Sequence, residues 1–160
     1  MDVKTENQNL SRADTAKEYF LQGYNCSQAV ALAFADLCGT DKNSLLKIAS
    51  SFGGGMGRLR EVCGALTGTF IVMGLISGYD TPERGERKLE HYAHIQNLAA
   101  RFEKENGSII CREILGLTVK HSSPKPEERT PRYYATRPCP QKVYSAAKIL
   151  EEYLKEIKIL

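Results

Sequence analysis

Four of the five cysteines lie where helices are predicted to begin: Cys26, Cys63, Cys111 and Cys139. A helix N-terminus presents unpaired N–H groups and about half a positive charge, so it stabilises an anion. A thiol placed there ionises more readily than a free thiol, and the thiolate is the form that attacks disulfides and binds metals. The fifth cysteine, Cys38, is predicted at a helix C-terminus, where the dipole has the opposite sign. We therefore expect four cysteines that can do chemistry and one bystander.

Cys63 has the sequence surroundings that best suit a reactive thiol. Arg58 and Arg60 precede its predicted helix, and nearby positive charge lowers a thiol pKa. Gly64 and Gly68 are four residues apart and share one helix face. A glycine inside a helix costs about 1 kcal/mol relative to alanine, which indicates that another backbone approaches this face closely. We predict Cys63 as the low-pKa thiol and one of the other three cysteines as its resolving partner.

The apolar pattern predicts an all-α, single-domain bundle over residues 1–160, with about six or seven helices around a buried central helix. The predicted helices cover about residues 11–22, 25–38, 44–52, 61–77, 81–106, 108–115 and 140–157. Residues 117–138 form a connector rich in proline and arginine, without helical periodicity. Because the connector leads into Cys139, it could act as a lid.

Local signals mark the starts and faces of some helices. Asn25 with Gln28 three residues later predicts a capping box. Ser108 is a candidate N-cap before Cys111, and the run Thr81-Pro82-Glu83 predicts the start of the long helix. The third helix is expected to bury Leu45, Ile48, Ala49 and Phe52. The long helix is expected to bury Leu89, Tyr92, Ile95, Ala99 and Phe102.

Composition limits the classes of function. Hydrophobic residues make up 42% and charged residues 26%, and the net charge is +3, so we expect no nucleic-acid partner. Residues 62–79 are uncharged, but their four glycines favour a buried helix over membrane insertion. Residues 1–9 show no signal peptide, and we expect a cytoplasmic protein. In that compartment cysteines are more often catalytic, redox-sensing or metal-binding than structural.

Two further motifs have simple interpretations. Residues 53–57, Gly-Gly-Gly-Met-Gly, are not followed by the Lys-Ser/Thr of a phosphate loop and are predicted to form a tight turn rather than an anion-binding nest. His91 and His94 are expected on a solvated flank of the long helix rather than at a metal site.

The segment from Cys63 to Gly68, Cys-Gly-Ala-Leu-Thr-Gly, resembles the CGAxxG signature of the C_GCAxxG_C_C family of redox-active proteins. One cysteine before and two after this hexamer complete that family's pattern, and they map to Cys26, Cys111 and Cys139. The similarity runs from about residue 23 to the last helix, and Cys38 falls outside it. The resemblance implies redox activity but supplies no substrate, partner or cofactor.

Three hypotheses follow. The first is a thiol–disulfide oxidoreductase that acts on a redox partner protein or a small oxidant and needs no cofactor. The second is an electron-transfer protein in which the four thiolates of Cys26, Cys63, Cys111 and Cys139 hold zinc or an iron–sulfur cluster, although the chain has no CxxC motif. The third is a helical ligand-binding or scaffold protein whose cysteines only pack. A homo-oligomer is compatible with all three.

Overall fold

The computed structural model describes residues 10–82 and 85–160, and over these ranges the chain is all-α, as predicted. The helices are α1 (Arg12–Leu21), α2 (Cys26–Leu32), α3 (Lys42–Ser50), α4 (Gly53–Met56), α5 (Gly64–Ser77), α6 (Glu86–Asn106), α7 (Cys111–Ile114), α8 (Pro131–Thr136) and α9 (Cys139–Glu156). A short 3-10 helix, Ala35–Leu37, follows α2. Among the same residues, extended pairing is confined to one antiparallel bridge between Val62 and Ile110.

The uncharged helix α5 is the predicted central helix. It packs against α2, α6 and α9, and most of its first ten residues are buried, whichever way they face. A helix that is apolar all round must be enclosed by other elements, which explains this position. The helix begins at Gly64 rather than at the predicted residue 61, because Val62 pairs with Ile110 in the bridge. In the two ranges described, none of the helices combines the length and apolarity needed to cross a membrane.

The glycines of α5 allow α2 to lie against it. A Cβ added at Gly68 would stand 2.9 Å from the carbonyl oxygen of Ser27. At Gly64 it would stand 2.7 Å from the carbonyl oxygen of Phe52 and 3.2 Å from Cys26 Cβ. These distances are shorter than ordinary van der Waals contacts, so the close approach that the glycine spacing predicts is present.

The predicted capping box at α2 is confirmed. The Asn25 side chain accepts from the Gln28 N–H at 2.9 Å, and the Gln28 side chain accepts from the Asn25 N–H at 3.1 Å. The next helix, α3, begins two residues before the predicted Ser44, because Asp41 caps it. On α3 Leu45 is buried as expected, whereas the expectation for Ile48 is wrong: it is 46% exposed.

The prediction for α6 needs two corrections. The helix begins at Glu86 instead of residue 81, and Glu83 of the proposed start signal lies outside the described residues. Leu89 and Tyr92, which we expected in the core, are 73% and 49% exposed. The buried side chains of α6 are Leu98 and Phe102, in its C-terminal half. The apolar stripe runs along the whole helix, but only its later turns are buried by neighbouring helices.

The connector is more ordered than its composition predicts, since it contains α8. Thr130 caps this helix by accepting from the Tyr133 N–H, and Pro131 occupies its first turn, where a missing N–H costs nothing. Arg129 anchors the segment to α1: its guanidinium lies 4.2 Å from the centre of the Phe20 ring and donates to the Phe20 carbonyl oxygen at 3.2 Å. The connector is thus fixed against the helical body just before Cys139.

Candidate functional site

One cavity of about 290 Å³ brings the four predicted cysteines together. Its wall includes Cys26, Cys63, Cys111 and Cys139. Cys38 lies elsewhere, at the end of the 3-10 helix, where its buried thiol donates to the Phe34 carbonyl oxygen at 3.2 Å. All five cysteines are free thiols.

Each of the four cavity cysteines stands at a helix start, as predicted. Cys26, Cys111 and Cys139 are the first residues of α2, α7 and α9, and Cys63 is the N-cap of α5. Four helices of different length and sequence therefore point their positive ends at one cavity. This arrangement favours negative charge inside it.

The bridge between Val62 and Ile110 places Cys63 and Cys111 diagonally across from each other. The Cys63 N–H donates to the Ile109 carbonyl oxygen at 2.8 Å, and the Cys111 N–H donates to that of Glu61 at 2.6 Å. The prediction that Ser108 caps α7 is wrong, because Ile110 holds that position. The Ser108 hydroxyl instead accepts from the N–H two residues further on and stabilises the bridge strand.

The pKa values of Cys139 and Cys26 are shifted in opposite directions. A hydrogen bond from the Cys26 thiol is the main cause that lowers the pKa of Cys139 to about 7, and Arg137, Arg129 and Arg60 contribute positive charge. The same hydrogen bond, followed by burial, raises the pKa of Cys26 well above its ordinary value. The interaction therefore favours the thiolate at Cys139 and the protonated thiol at Cys26.

The prediction that Cys63 is the low-pKa thiol is wrong. Burial raises the pKa of Cys63 to about 12, although hydrogen bonds from the N–H groups of Ala65 and Leu66 act in the opposite direction. The N-terminus of α5 thus lowers the pKa of Cys63, as predicted. The loss of hydration outweighs it, because removing a thiolate from water costs more than two amide hydrogen bonds return.

Arg60 lies beside Cys111 as a buried cation, only 5% exposed. Its Nη1 atom is 3.7 Å from Cys111 Sγ, and its Nε atom donates to Ser122 Oγ at 2.9 Å. Burial still raises the pKa of Cys111, with Arg60 opposing it. Arg58 holds the same connector, since its Nε donates to the Ser123 carbonyl oxygen at 2.7 Å.

The two arginines belong to a backbone segment with an unusual conformation. Arg58 and Arg60 have φ values of 68° and 59°, in the left-handed region that costs a non-glycine residue about 1–2 kcal/mol. The predicted tight turn at residues 53–57 is present as α4, in which Gly54, Gly55, Met56 and Gly57 have left-handed φ values between 65° and 69°. A Cβ at Gly55 would stand 2.6 Å from Cys111 Cβ, so glycine lets this segment lie against the Cys111 side chain. We name residues 53–60 the glycine–arginine loop.

The connector covers one side of the cavity. It contributes Pro124, Pro126, Glu127, Arg129, Tyr133 and Arg137 to the wall. The Glu127 carboxylate lies 3.8 Å from nitrogen atoms of both Arg58 and Arg60 and also pairs with Arg137. The connector therefore covers the cavity as a lid would. That it opens and closes is a prediction.

The sequence reasoning did not assign Arg129, Arg137, Glu127 or Lys142 to the site. Arg137 could have been found, because it precedes a predicted helix-start cysteine by two residues. Lys142 could also have been found, since it lies one helical turn after Cys139 and so shares its face. No sequence pattern indicates that Glu127 and Arg129 belong to the site, because their positions at the cavity depend on how the connector folds back over it.

The structure gives no support to the metal hypothesis. In the part of the chain that is described, no group of three or more His, Cys, Asp or Glu side chains is arranged to hold a metal ion. The prediction that His94 lies on a solvated flank is wrong, because its side chain is only 15% exposed and its ring hydrogen-bonds to the Tyr153 hydroxyl. His91 is partly enclosed and burial lowers its pKa.

The family described as "Putative redox-active protein (C_GCAxxG_C_C)" matches residues 24–153, which include all four cavity cysteines. No curated protein and no solved structure matches the chain.

Proposed function

Because the chain belongs to the C_GCAxxG_C_C family of redox-active proteins, we propose that it is a thiol–disulfide oxidoreductase that uses Cys139 as the attacking thiol. Cys26 is the resolving thiol. Cys63 and Cys111 complete the cavity wall and keep their protons at neutral pH.

The observation that carries the proposal is the position of Cys26 and Cys139 on the wall of one cavity, where each thiol has the largest influence on the ionisation of the other. A thiol attacks disulfides best when its pKa is close to the ambient pH, because a lower pKa weakens the thiolate and a higher one leaves it protonated. The pKa of Cys139, about 7, meets this condition. Cys139 is also partly exposed, whereas Cys63 and Cys111 are buried.

The proposed reaction proceeds in two exchanges. The Cys139 thiolate attacks one sulfur of a disulfide substrate, the substrate S–S bond breaks, and the first thiolate product leaves with the electron pair. Cys26 then loses its proton to the departing thiolate and attacks the Cys139 sulfur of the mixed disulfide. The Cys26–Cys139 disulfide forms, and the second product thiolate leaves and takes up a proton. Two protein thiols are oxidised, and one substrate disulfide is reduced to two thiols.

The arginines around the cavity have a supporting role in this proposal. Arg137, Arg129 and Arg60 all lower the pKa of Cys139 through their charge, after the Cys26 hydrogen bond. Arg60 also contacts Cys111 and the connector, so the charge next to the thiols is fixed by several bonds. A fixed cation stabilises a thiolate without reorganising during the reaction.

Trapping the mixed disulfide tests the proposal. Reduced protein is mixed with bis(2-hydroxyethyl) disulfide and followed by intact mass. The wild type should lose two hydrogens and retain no adduct, while Cys26→Ser should stop at one 2-hydroxyethylthio adduct, the mixed disulfide on Cys139. Cys139→Ser should react far more slowly, and Cys38→Ala, which changes a thiol outside the cavity, should match the wild type.

Two results would overturn the proposal. One is an adduct that accumulates on Cys63 or Cys111 in the Cys26→Ser variant. The other is a Cys139→Ser variant that is oxidised as fast as the wild type. Circular dichroism of each variant shows whether it is folded, so that a loss of reaction can be assigned to the missing thiol.

A further inference from the structure

The cavity wall carries far more positive than negative charge. Within the described ranges, its charged side chains are Arg58, Arg60, Arg129, Arg137, Lys142 and the single carboxylate of Glu127. A cleft lined by one sign of charge concentrates ligands of the opposite sign and raises their association rates by about 10- to 1,000-fold. Stabilising one thiolate does not require five cations. The excess positive charge therefore indicates that the cavity binds a second anion besides the thiolate.

The cations come from three separate elements that surround Cys139. Arg58 and Arg60 lie on the glycine–arginine loop, Arg129 and Arg137 on the connector, and Lys142 on α9. Lys142 is three residues after Cys139 on the same helix, so the two side chains lie on one face. An anion bound by these groups would lie next to the attacking sulfur.

Glu127 shows that the arginines accept a carboxylate. Its carboxylate lies 3.8 Å from Arg58 and from Arg60 and pairs with Arg137, so three guanidinium groups share one anion. Guanidinium groups bind carboxylates through parallel hydrogen bonds, and each arginine can bind more than one acceptor. The Glu127 side chain is also 37% exposed, which places it at the rim of the cavity, where an incoming ligand could replace it.

The size of the cavity indicates a small ligand. A volume of about 290 Å³ is at the lower end for sites that enclose small molecules, typically about 300–1,000 Å³. The connector residues Pro124, Pro126 and Tyr133 add apolar surface that suits methylene groups. Since the connector is bonded across this side through Arg58 and Arg60, a folded partner would have to displace it before reaching the thiols.

From the charge, the arginine–carboxylate contacts and the volume, we infer that this site takes a small aliphatic disulfide that carries carboxylates. The inference rests on the proposed thiol–disulfide function and adds the chemical class of the substrate. The carboxylates are held by the arginines and Lys142, and the disulfide sulfur meets Cys139. Electrons and protons then follow the two exchanges already given, and two carboxylate-bearing thiols are released.

Three small symmetric disulfides of similar length test the charge preference. They are 3,3′-dithiodipropionate, a dianion; bis(2-hydroxyethyl) disulfide, which is neutral; and cystamine, a dication. Each rate with reduced protein is divided by the rate of the same disulfide with free 2-mercaptoethanol, which removes intrinsic differences in reactivity. We expect the normalised rate of the dianion to exceed that of the neutral disulfide by about tenfold or more, and cystamine to be slowest. At about 1 M salt, where the Debye length is about 3 Å, the three should converge.

Matched variants locate the preference in the cavity. Lys142→Gln should reduce the ratio of dianion to neutral rates several-fold, and Glu127→Gln, which removes the competing carboxylate, should raise it. Lys148→Gln, an exposed position on the same helix, should leave the ratio unchanged. Because all three disulfides react with one thiol, a change in the pKa of Cys139 alters every rate alike and cancels in the ratio.

The outcomes separate this inference from the proposed function. Equal normalised rates for the three disulfides, or a preference for cystamine, would overturn the inference and leave the oxidoreductase proposal intact. Failure of every disulfide to oxidise the wild type would overturn both. A ratio that responds to Lys148→Gln as strongly as to Lys142→Gln would show general surface charge and overturn the cavity assignment.

Discussion

We expect Cys139 to be alkylated by iodoacetamide about 300 times faster than Cys63 at pH 7. Their pKa values are about 7 and about 12. About half of Cys139 is then thiolate, but only about one molecule in 10⁵ of Cys63. The logarithm of thiolate reactivity rises with pKa with a slope of about 0.4–0.5, so the Cys63 thiolate is itself about 200 times more reactive than the Cys139 thiolate. The remaining difference is about 300-fold, before the deeper burial of Cys63 is counted.

The variant Cys26→Ala tests the cause of this difference. It removes the hydrogen bond that contributes most to lowering the pKa of Cys139. If that pKa rises to the ordinary thiol value of about 8.5, the thiolate fraction at pH 7 falls about 16-fold, and higher nucleophilicity returns about fivefold. The alkylation rate of Cys139 should therefore fall about threefold, and the midpoint of its pH profile should move upward.

The assay is alkylation quenched at a series of times between pH 6 and pH 10, with each cysteine located by peptide mass. Cys38 is the internal control, because burial raises its pKa to about 11 and it lies outside the cavity. Alkylation in concentrated urea should give all five thiols similar rates. A Cys63 rate within tenfold of the Cys139 rate in the native protein would refute the reasoning, and so would a Cys139 midpoint at pH 9 or above.

Three further predictions concern the elements that hold the site. Gly68→Ala should lower the free energy of unfolding by about 1–3 kcal/mol, because the new Cβ meets α2. The control Gly74→Ala, whose Cβ would meet no atom of the described residues outside its own helix within 4 Å, should raise it by up to about 1 kcal/mol. Equal shifts of the two variants in urea unfolding would contradict the close approach of α2. Asn25→Ala should lower the free energy of unfolding by about 1 kcal/mol through loss of the capping box, and an unchanged unfolding midpoint would show that the cap contributes nothing. Arg137→Gln should raise the alkylation midpoint of Cys139, while Arg132→Gln, at an exposed position of α8, should not; a shift of the same size in both would argue against a local charge effect.

The positions of the thiols along the helices could be predicted because helix starts are encoded locally. Asn25 and Gln28 form their capping box within one turn, and that box fixes Cys26 as the first residue of α2. The uncharged run after Cys63 likewise could only be a buried helix or a membrane span, and its glycines favoured the first. Local signals of this kind indicate helix starts near all four cysteines, although the residue that caps α7 is Ile110 and not the predicted Ser108.

The choice of the reactive thiol could not be predicted, because it depends on burial and on neighbours distant in sequence. Cys63 has the helix end and the preceding arginines, but it is only 7% exposed, and desolvation dominates its pKa. Cys139 owes its low pKa first to Cys26, more than a hundred residues earlier in the chain. The exposure of Leu89 on α6 escaped prediction for a related reason: a periodic stripe does not show how far the neighbouring helices extend.

The most direct test of the redox pair is an equilibrium titration of the protein in buffers of reduced and oxidised dithiothreitol, with the linked peptides identified by mass. We predict one two-electron transition in which the disulfide that forms joins Cys26 to Cys139. That transition should be absent in Cys139→Ser and unchanged in Cys38→Ala. A first disulfide between Cys63 and Cys111, or no intramolecular disulfide at any ratio of the buffer, would contradict the assignment of Cys26 and Cys139 as the redox pair.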